Sequence, residues 1–230
     1  MIRILLMVFF LSTQSACATD PAVLIKQGQE CYFGSNAVCA LDNFSKAIDL
    51  DPNNPTYYVK RGATYASISQ KEKAMADFNA SIKLSFQNPE AHLLLGNELV
   101  LRGQYEQGEK ELSIAIEQKN DFFDALFSRG QFYSVLGENE KALADYNRAV
   151  ELKKRDYQAI YNRGLTYAAM GEYIKAVEDF TACTDIYLLV SSAYSARADA
   201  YKQLKEFDKA KADYKFACEL GNLFDCDEAK

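Results

Sequence analysis

The chain has no tryptophan and one histidine, His92, so the imidazole-rich chemistries are closed to it from the outset. A zinc site or a nucleophile–histidine triad needs several side chains converging on one point. No C-x-x-C, G-x-S-x-G or phosphate-loop motif supplies them. The segment Asp49-Leu50-Asp51-Pro52-Asn53 superficially resembles a calcium loop. It carries Asn54 where such a loop needs glycine and Lys60 where it needs glutamate, and reads instead as a connection between helices. There is also no basic cluster: 26 Lys+Arg stand against 32 Asp+Glu, a net charge of -6, which argues against a nucleic-acid partner. No catalytic residue, metal ligand or cofactor is therefore expected, and the chain is not read as an enzyme. The one sustained apolar run, Ile4 to Leu11, is too short to cross a bilayer, which takes about 20 residues.

What the chain does have is an ordinary globular composition, 49% apolar and 25% charged, behind an unusual start. Arg3, the apolar run and the small, polar stretch Ser12 to Ala18 read as a signal peptide over residues 1–18, implying export. Two cleavage readings stand side by side. Ala16-Cys17-Ala18 offers the alternating small residues of an ordinary cut after Ala18. Gln14-Ser15-Ala16-Cys17 resembles a lipobox, although Gln14 stands where that motif prefers leucine. On that resemblance Cys17 is the lipidation candidate and anchors the protein to a membrane surface. The expected location is the periplasm, free or as an outer-membrane-anchored lipoprotein, or else the exterior as a secreted protein.

Gly28, Gly62, Gly96, Gly130 and Gly164 recur every 34 residues, and Ala198 takes the sixth slot. Other columns keep the same period. One is tiny (Ala40, Ala74, Gly108, Ala142, Ala176, Ala210) and one bulky (Phe44, Phe78, Leu112, Tyr146, Phe180, Tyr214). Helices approach closely where small residues on one meet large residues on the other. All four prolines fall at joints between units, and Gly103, Gly137 and Gly171 mark turns within them. This pattern closely resembles the tetratricopeptide repeat. The resemblance implies an all-α, right-handed solenoid of six helix-turn-helix repeats, at residues 21–54, 55–88, 89–122, 123–156, 157–190 and 191–224. The remaining tail, 225–230, is too short for the solvating helix that often closes such arrays, which raises self-association through an uncapped end as an alternative.

Comparing the repeats with one another adds a feature. Arg61, Arg129, Arg163 and Arg197 occupy one column in repeats two, four, five and six, and the same repeats carry Asp77, Asp145, Asp179 and Asp213 in another. Repeats one and three lack both, having Gln27 with Asn43 and Leu95 with Glu111. A half-buried guanidinium needs an anionic partner, so each pair is expected to link the two helices of its hairpin.

Cys31 and Cys39 stand symmetrically about the first turn, at Ser35. Cys218 and Cys226 repeat the same spacing in a segment that resembles the cysteine-rich Sel1-type helical repeats, whose hairpins are stapled at that step. These four are disulfide candidates in an exported chain, and small core hydrophobes otherwise. Cys183 lies in a small-residue column and is expected to be a buried free thiol. His92 falls in the column of Leu24, Tyr58, Leu126, Ile160 and Tyr194, which faces the interior.

The resemblance places a partner-binding groove on the first helix of each repeat. Its inward positions are read as Ile25, Val59, Leu93, Phe127 and Tyr161, interleaved with Gln29, Asn97, Gln131 and Asn162. The lysine–asparagine clamp by which some relatives hold a carboxylate tail is largely absent. An apolar row flanked by amides suits an extended or helical peptide. The expected role is that of a cell-envelope scaffold or adaptor whose partner is another protein. A self-associating structural component and a secreted Sel1-like effector are the alternatives.

Overall fold

A computed structural model describes residues 20–228. The signal-peptide and Cys17 readings fall outside those residues. The described chain holds thirteen helices and no strand. They are α1 (Pro21–Phe33), α2 (Ala37–Leu50), α3 (Pro55–Ser67), α4 (Lys71–Leu84), α5 (Pro89–Leu101), α6 (Tyr105–Gln118), α7 (Phe123–Leu136), α8 (Asn139–Leu152), α9 (Tyr157–Ala169), α10 (Tyr173–Ile186), α11 (Ser191–Gln203), α12 (Phe207–Glu219) and α13 (Asp225–Glu228). Each odd-numbered helix from α1 to α11 packs antiparallel to its successor, and each such hairpin stacks on the next, giving an all-α helical-repeat solenoid.

Local chemistry sets the helix boundaries. The side chains of Asp20, Asn54, Asn88 and Asp156 accept backbone N–H bonds at the starts of α1, α3, α5 and α9, and proline fills the first helical position of α1, α3 and α5. Inside each hairpin one residue takes the left-handed conformation. It is Gly103, Gly137 and Gly171 in the middle repeats and Ser35, Ser69 and Lys205 in the others, with φ between 58° and 79°. The turn is therefore conserved in geometry where the residue type is not, at a cost of about 1–2 kcal/mol for each side chain forced into that region.

The hairpins close on their small-against-large columns. A methyl group placed on Gly62 would lie 2.7 Å from the Phe78 ring, and one on Gly130 would lie 2.8 Å from the Tyr146 ring. Phe44, Phe78, Leu112, Tyr146 and Phe180 are fully buried against these bare backbones. Close approach removes the apolar faces of both helices from water at about 25 cal/mol per Å².

The helix that follows the sixth hairpin keeps the repeat phase: α13 begins 34 residues after α11 and packs on α12. Its Asp225 is buried and accepts bonds from Ser195 Oγ and from Asn222 Nδ2, the latter at 2.7 Å. Cys226 beside it is paired with Cys218, Cα to Cα 5.0 Å, and Cys31 is paired with Cys39 at 5.7 Å. One helical turn thus sits where the next hairpin's first helix would dock.

Candidate protein-binding groove

The frame of the solenoid carries a polar ladder. In repeats two, four, five and six the arginine Nε and Nη2 donate to both carboxylate oxygens of the aspartate on the partner helix, at 2.6–2.8 Å. The remaining Nη1 reaches back to the preceding repeat: Arg61 to Ser45 at 3.3 Å, Arg129 to Ser113 at 2.9 Å, Arg163 to Asn147 and Arg197 to Thr181 both at 3.2 Å. Each guanidinium therefore ties three helices together. Its hydrogen bond to the aspartate raises its pKa against the opposing effect of burial. A planar fork with fixed donors sets angles as well as distances, so the ladder orients the first helices, on which the candidate groove positions lie.

The groove positions read from the sequence divide in two. Gln131 is exposed, and Ile25, Gln29, Asn97, Phe127, Tyr161 and Asn162 are half-buried. Val59 and Leu93 are not available as a docking row: they are 2% and 7% exposed. Leu93 is spent on the core, in one cluster with Leu112, Ile116 and Leu126. The rings of Phe127 and Tyr161 are also largely committed. Phe127 stacks on Phe123 at 5.9 Å, and Tyr161 stacks on Tyr157 at 5.6 Å and tilts against Phe180 at 5.7 Å. Burial pushes the Tyr157 and Tyr161 phenols above their ordinary range. Asn162 donates its amide to the carbonyl of Gln158 on its own helix, at 2.8 Å.

The apolar side chains that do face outward lie two turns further on. Phe33, Leu101 and Val135 follow Ile25, Leu93 and Phe127 by eight residues and are 81%, 68% and 79% exposed. Their signal in the sequence is the continuation of the same stripe to the end of each first helix. A depression of about 560 Å³ lies between α5 and α7, lined by Asn97, Leu101, Tyr105, Ser128, Gln131 and Val135. A smaller one, of about 240 Å³, is lined by Gln29, Tyr32, Phe33, Val59, Ala63 and Leu94, together with Lys60 and Glu90. Apolar walls with a few carboxamides and few charges suit a partner's side chains and main chain.

The other singled-out residues are held inside. His92 is buried with Nδ1 2.6 Å from Glu111 Oε2 and Nε2 3.0 Å from the Phe86 carbonyl oxygen, so both ring nitrogens are engaged. Cys183 is a buried free thiol, and burial pushes its pKa up to about 12. Among the described residues no three His, Cys, Asp or Glu side chains are grouped to hold a metal, and no helix is long and apolar enough to cross a membrane.

Family models agree with this geometry. The model described as TPR repeat matches residues 132–171, and the one described as tetratricopeptide repeat matches residues 55–88, 157–188 and 191–220. No curated protein matches the sequence. Among solved structures, YrrB, a TPR protein with an unusual peptide-binding site, aligns with a TM-score of 0.70 at 22% identity, covering 81% of this chain and 95% of that one. A MamA protein aligns with a TM-score of 0.61 at 23% identity, over 72% of this chain and 91% of that one. A tetratricopeptide repeat protein from Parabacteroides merdae aligns with a TM-score of 0.65 at 14% identity, over 91% and 97% of the two chains. At these identities the likeness is one of fold, and together with the repeat matches and the in-phase hairpins it identifies the chain as a member of the tetratricopeptide repeat family.

Proposed function

We propose that the chain is a protein-binding scaffold that holds a segment of a partner protein on the face lined by its first helices. The observation carrying this reading is the pair Leu101 and Val135, which stand in water beside the carboxamides of Asn97 and Gln131, with Phe33 exposed in the same way beside Gln29 in the first repeat. A contiguous exposed apolar patch rimmed by polar groups marks an interaction site, where singly scattered apolar side chains do not. The peptide-binding site named for YrrB is compatible with it. The pair tells where a test must cut. Leu101→Glu with Val135→Glu removes apolar surface without entering the core, whereas Leu93→Glu would bury a charge. The intact chain and the double variant are used as bait in envelope extracts, with circular dichroism to verify folding. A partner captured by the first and lost by the helical variant supports the groove; equal capture by both overturns it.

Export is part of the same proposal. Two cysteine pairs at Cα separations of 5.7 and 5.0 Å, one in the first repeat and one at α12–α13, suit an oxidising compartment. Anchoring through Cys17 makes the protein an envelope adaptor, at home in the periplasm or on the outer membrane. Cell fractionation of the full chain and of Cys17→Ala tests this. Membrane association lost in the variant supports the anchor, and a soluble periplasmic wild type supports simple cleavage. Retention of the wild type in the cytoplasm overturns export.

A further inference from the structure

The arginine ladder is interrupted at one joint between repeats. At the joint of repeats two and three, Leu95 stands in the arginine column. Asn79, which occupies the place where Asn147 accepts from Arg163, donates instead to the carbonyl of Met75 on its own helix, at 2.8 Å. The carboxylate column is also reassigned. Glu111, where Asp77 and Asp145 hold arginines, binds His92 Nδ1. His92, Glu111 and Gln118, whose amide donates to the same Phe86 carbonyl at 2.7 Å, tie repeat three to the connecting segment but not to α4.

What remains between α4 and α5 is of a different kind. The interior of the joint is apolar, with Leu95 and Leu99 against Ala74 and Phe78 and with Met75 and Ile82 beside them. Apolar contact is non-directional, and methionine is the most adaptable of the core side chains. The polar bonds across the joint are few. Arg102, its side chain 37% exposed, meets the largely exposed Glu72 and, at 3.2 Å, Met75 Sδ, both on α4, and the half-buried Asn88 of the connecting segment donates to the buried Ser81 Oγ at 2.9 Å. An exposed pair fixes little and is screened by salt.

We infer that the joint between α4 and α5 is the compliant point of the solenoid, dividing it into a block of repeats one and two and a block of repeats three to six. Within each block the half-buried, bidentate guanidiniums fix the angle between neighbours; across the joint apolar surfaces, the Arg102 contacts and the single Asn88–Ser81 bond do so, with no bidentate Arg–Asp fork among them. Packed helices that slide in this way give small shear displacements. The joint also sets the width of the smaller depression. That depression has one wall on α1 and α3, at Phe33 and Val59, and the other on α5, at Glu90 and Leu94. The inference does not depend on what the groove binds.

In a solenoid, stability is a sum of repeat and interface contributions, so a weaker interface appears as a boundary between cooperative units. Native-state amide exchange of the intact, oxidised chain in rising urea reads this directly. The amides of α1 to α4 are expected to open together, with protection roughly tenfold below that of α7 to α10, the scale of one lost bond to a charged group. The boundary should fall at residues 85–88. The triple variant Leu95→Arg, Glu111→Asp, His92→Tyr copies repeat two into repeat three and should remove it. The pair Arg129→Leu, Asp145→Asn breaks the ladder between α6 and α7 and should create a second boundary there. The inference is overturned if α1 to α4 open with the same protection as α7 to α10, or if repeat one opens separately from repeat two. It is equally overturned by a folded triple variant that keeps the boundary. Should the triple variant fail to fold, the Arg129 pair decides, and no new boundary there refutes the ladder as the source of stiffness.

Discussion

Arg129 grips both carboxylate oxygens of Asp145, at 2.7 and 2.8 Å, and with its third nitrogen reaches Ser113 in the repeat before. The aspartate side chain is 4% exposed. Arg129→Ala would leave that carboxylate buried without a counter-charge, a situation that costs about 3–5 kcal/mol. Removing both partners, Arg129→Ala with Asp145→Ala, should cost less than the sum of the two single changes. Arg129→Lys should not rescue the single loss, because an ammonium cannot span two oxygens and a hydroxyl in one plane. Urea unfolding of the four proteins gives the coupling; simple additivity would show that the pair contributes nothing.

The glycine columns make a sharper contrast. Gly130→Ala places a methyl 2.8 Å from the fully buried Tyr146 ring, and overpacking of about 1–3 kcal/mol opposes about 1 kcal/mol gained in helix propensity. A net loss is expected, and Tyr146→Leu in the same background should recover part of it by clearing the ring. Gly137→Ala meets open space but sits at φ 73°, so its cost of about 1 kcal/mol is conformational and no second-site change should relieve it. Urea midpoints for the two backgrounds separate steric from backbone cost.

How far these features could be read beforehand depends on what sets them. The hairpins are legible because size complementarity between Gly62 and Phe78, or Gly130 and Tyr146, repeats at a fixed interval, and periodic sterics survive in one dimension. The Arg–Asp columns are visible because two unusual residues appear and disappear together across repeats. The third member of each contact is hidden. Ser45, Ser113, Asn147 and Thr181 share only the ability to accept a bond, and no single residue type marks them. The groove is the hardest part. Leu93 and Leu101 lie on one stripe of one helix, yet one is interlocked with Leu112 and the other stands in water. Periodicity gives direction and not depth. The pairing of His92 with Glu111, nineteen residues apart across a hairpin, has no periodic counterpart in the other repeats.

Alkaline pH should loosen the array in a defined window. Burial pushes the Tyr146 phenol up to about 12 and the Cys183 thiol up to about 12. Both groups are neutral when protonated, and folding favours that form. Their contribution is fully present below the unfolded values, about 10 for tyrosine and about 8.5 for cysteine, and is lost as pH rises towards 12. Stability is therefore expected to fall from pH of about 8.5 upward, with most phenolate absorbance from Tyr146 appearing only on unfolding. At pH of about 8 Cys183 in the folded chain should resist alkylation by roughly a thousandfold relative to the unfolded chain, since only the thiolate reacts. Rapid labelling of the native protein would show that the thiol is reached by opening of repeat five.

The C-terminal staple tests whether α13 is an ornament or a cap. Cys218 and Cys226 close a short loop, and the chain-entropy model gives about 2.5 kcal/mol for one of that size. In a globular domain that loss spreads over the whole cooperative unit. In a solenoid it is local, because each repeat feels only its neighbours. Cys218→Ser with Cys226→Ser should therefore free α13, strip Ser195 of its bond to Asp225 and lower amide protection most in α11 and α12, with a smaller loss in α7 to α10. The variant Asp225→Ala, which leaves the staple in place, should produce a smaller change in the same helices. If both variants leave α11 and α12 protected, the terminal hairpin is held by repeat five alone, through Arg197 and Thr181, and the in-phase turn at Asp225 contributes no stability.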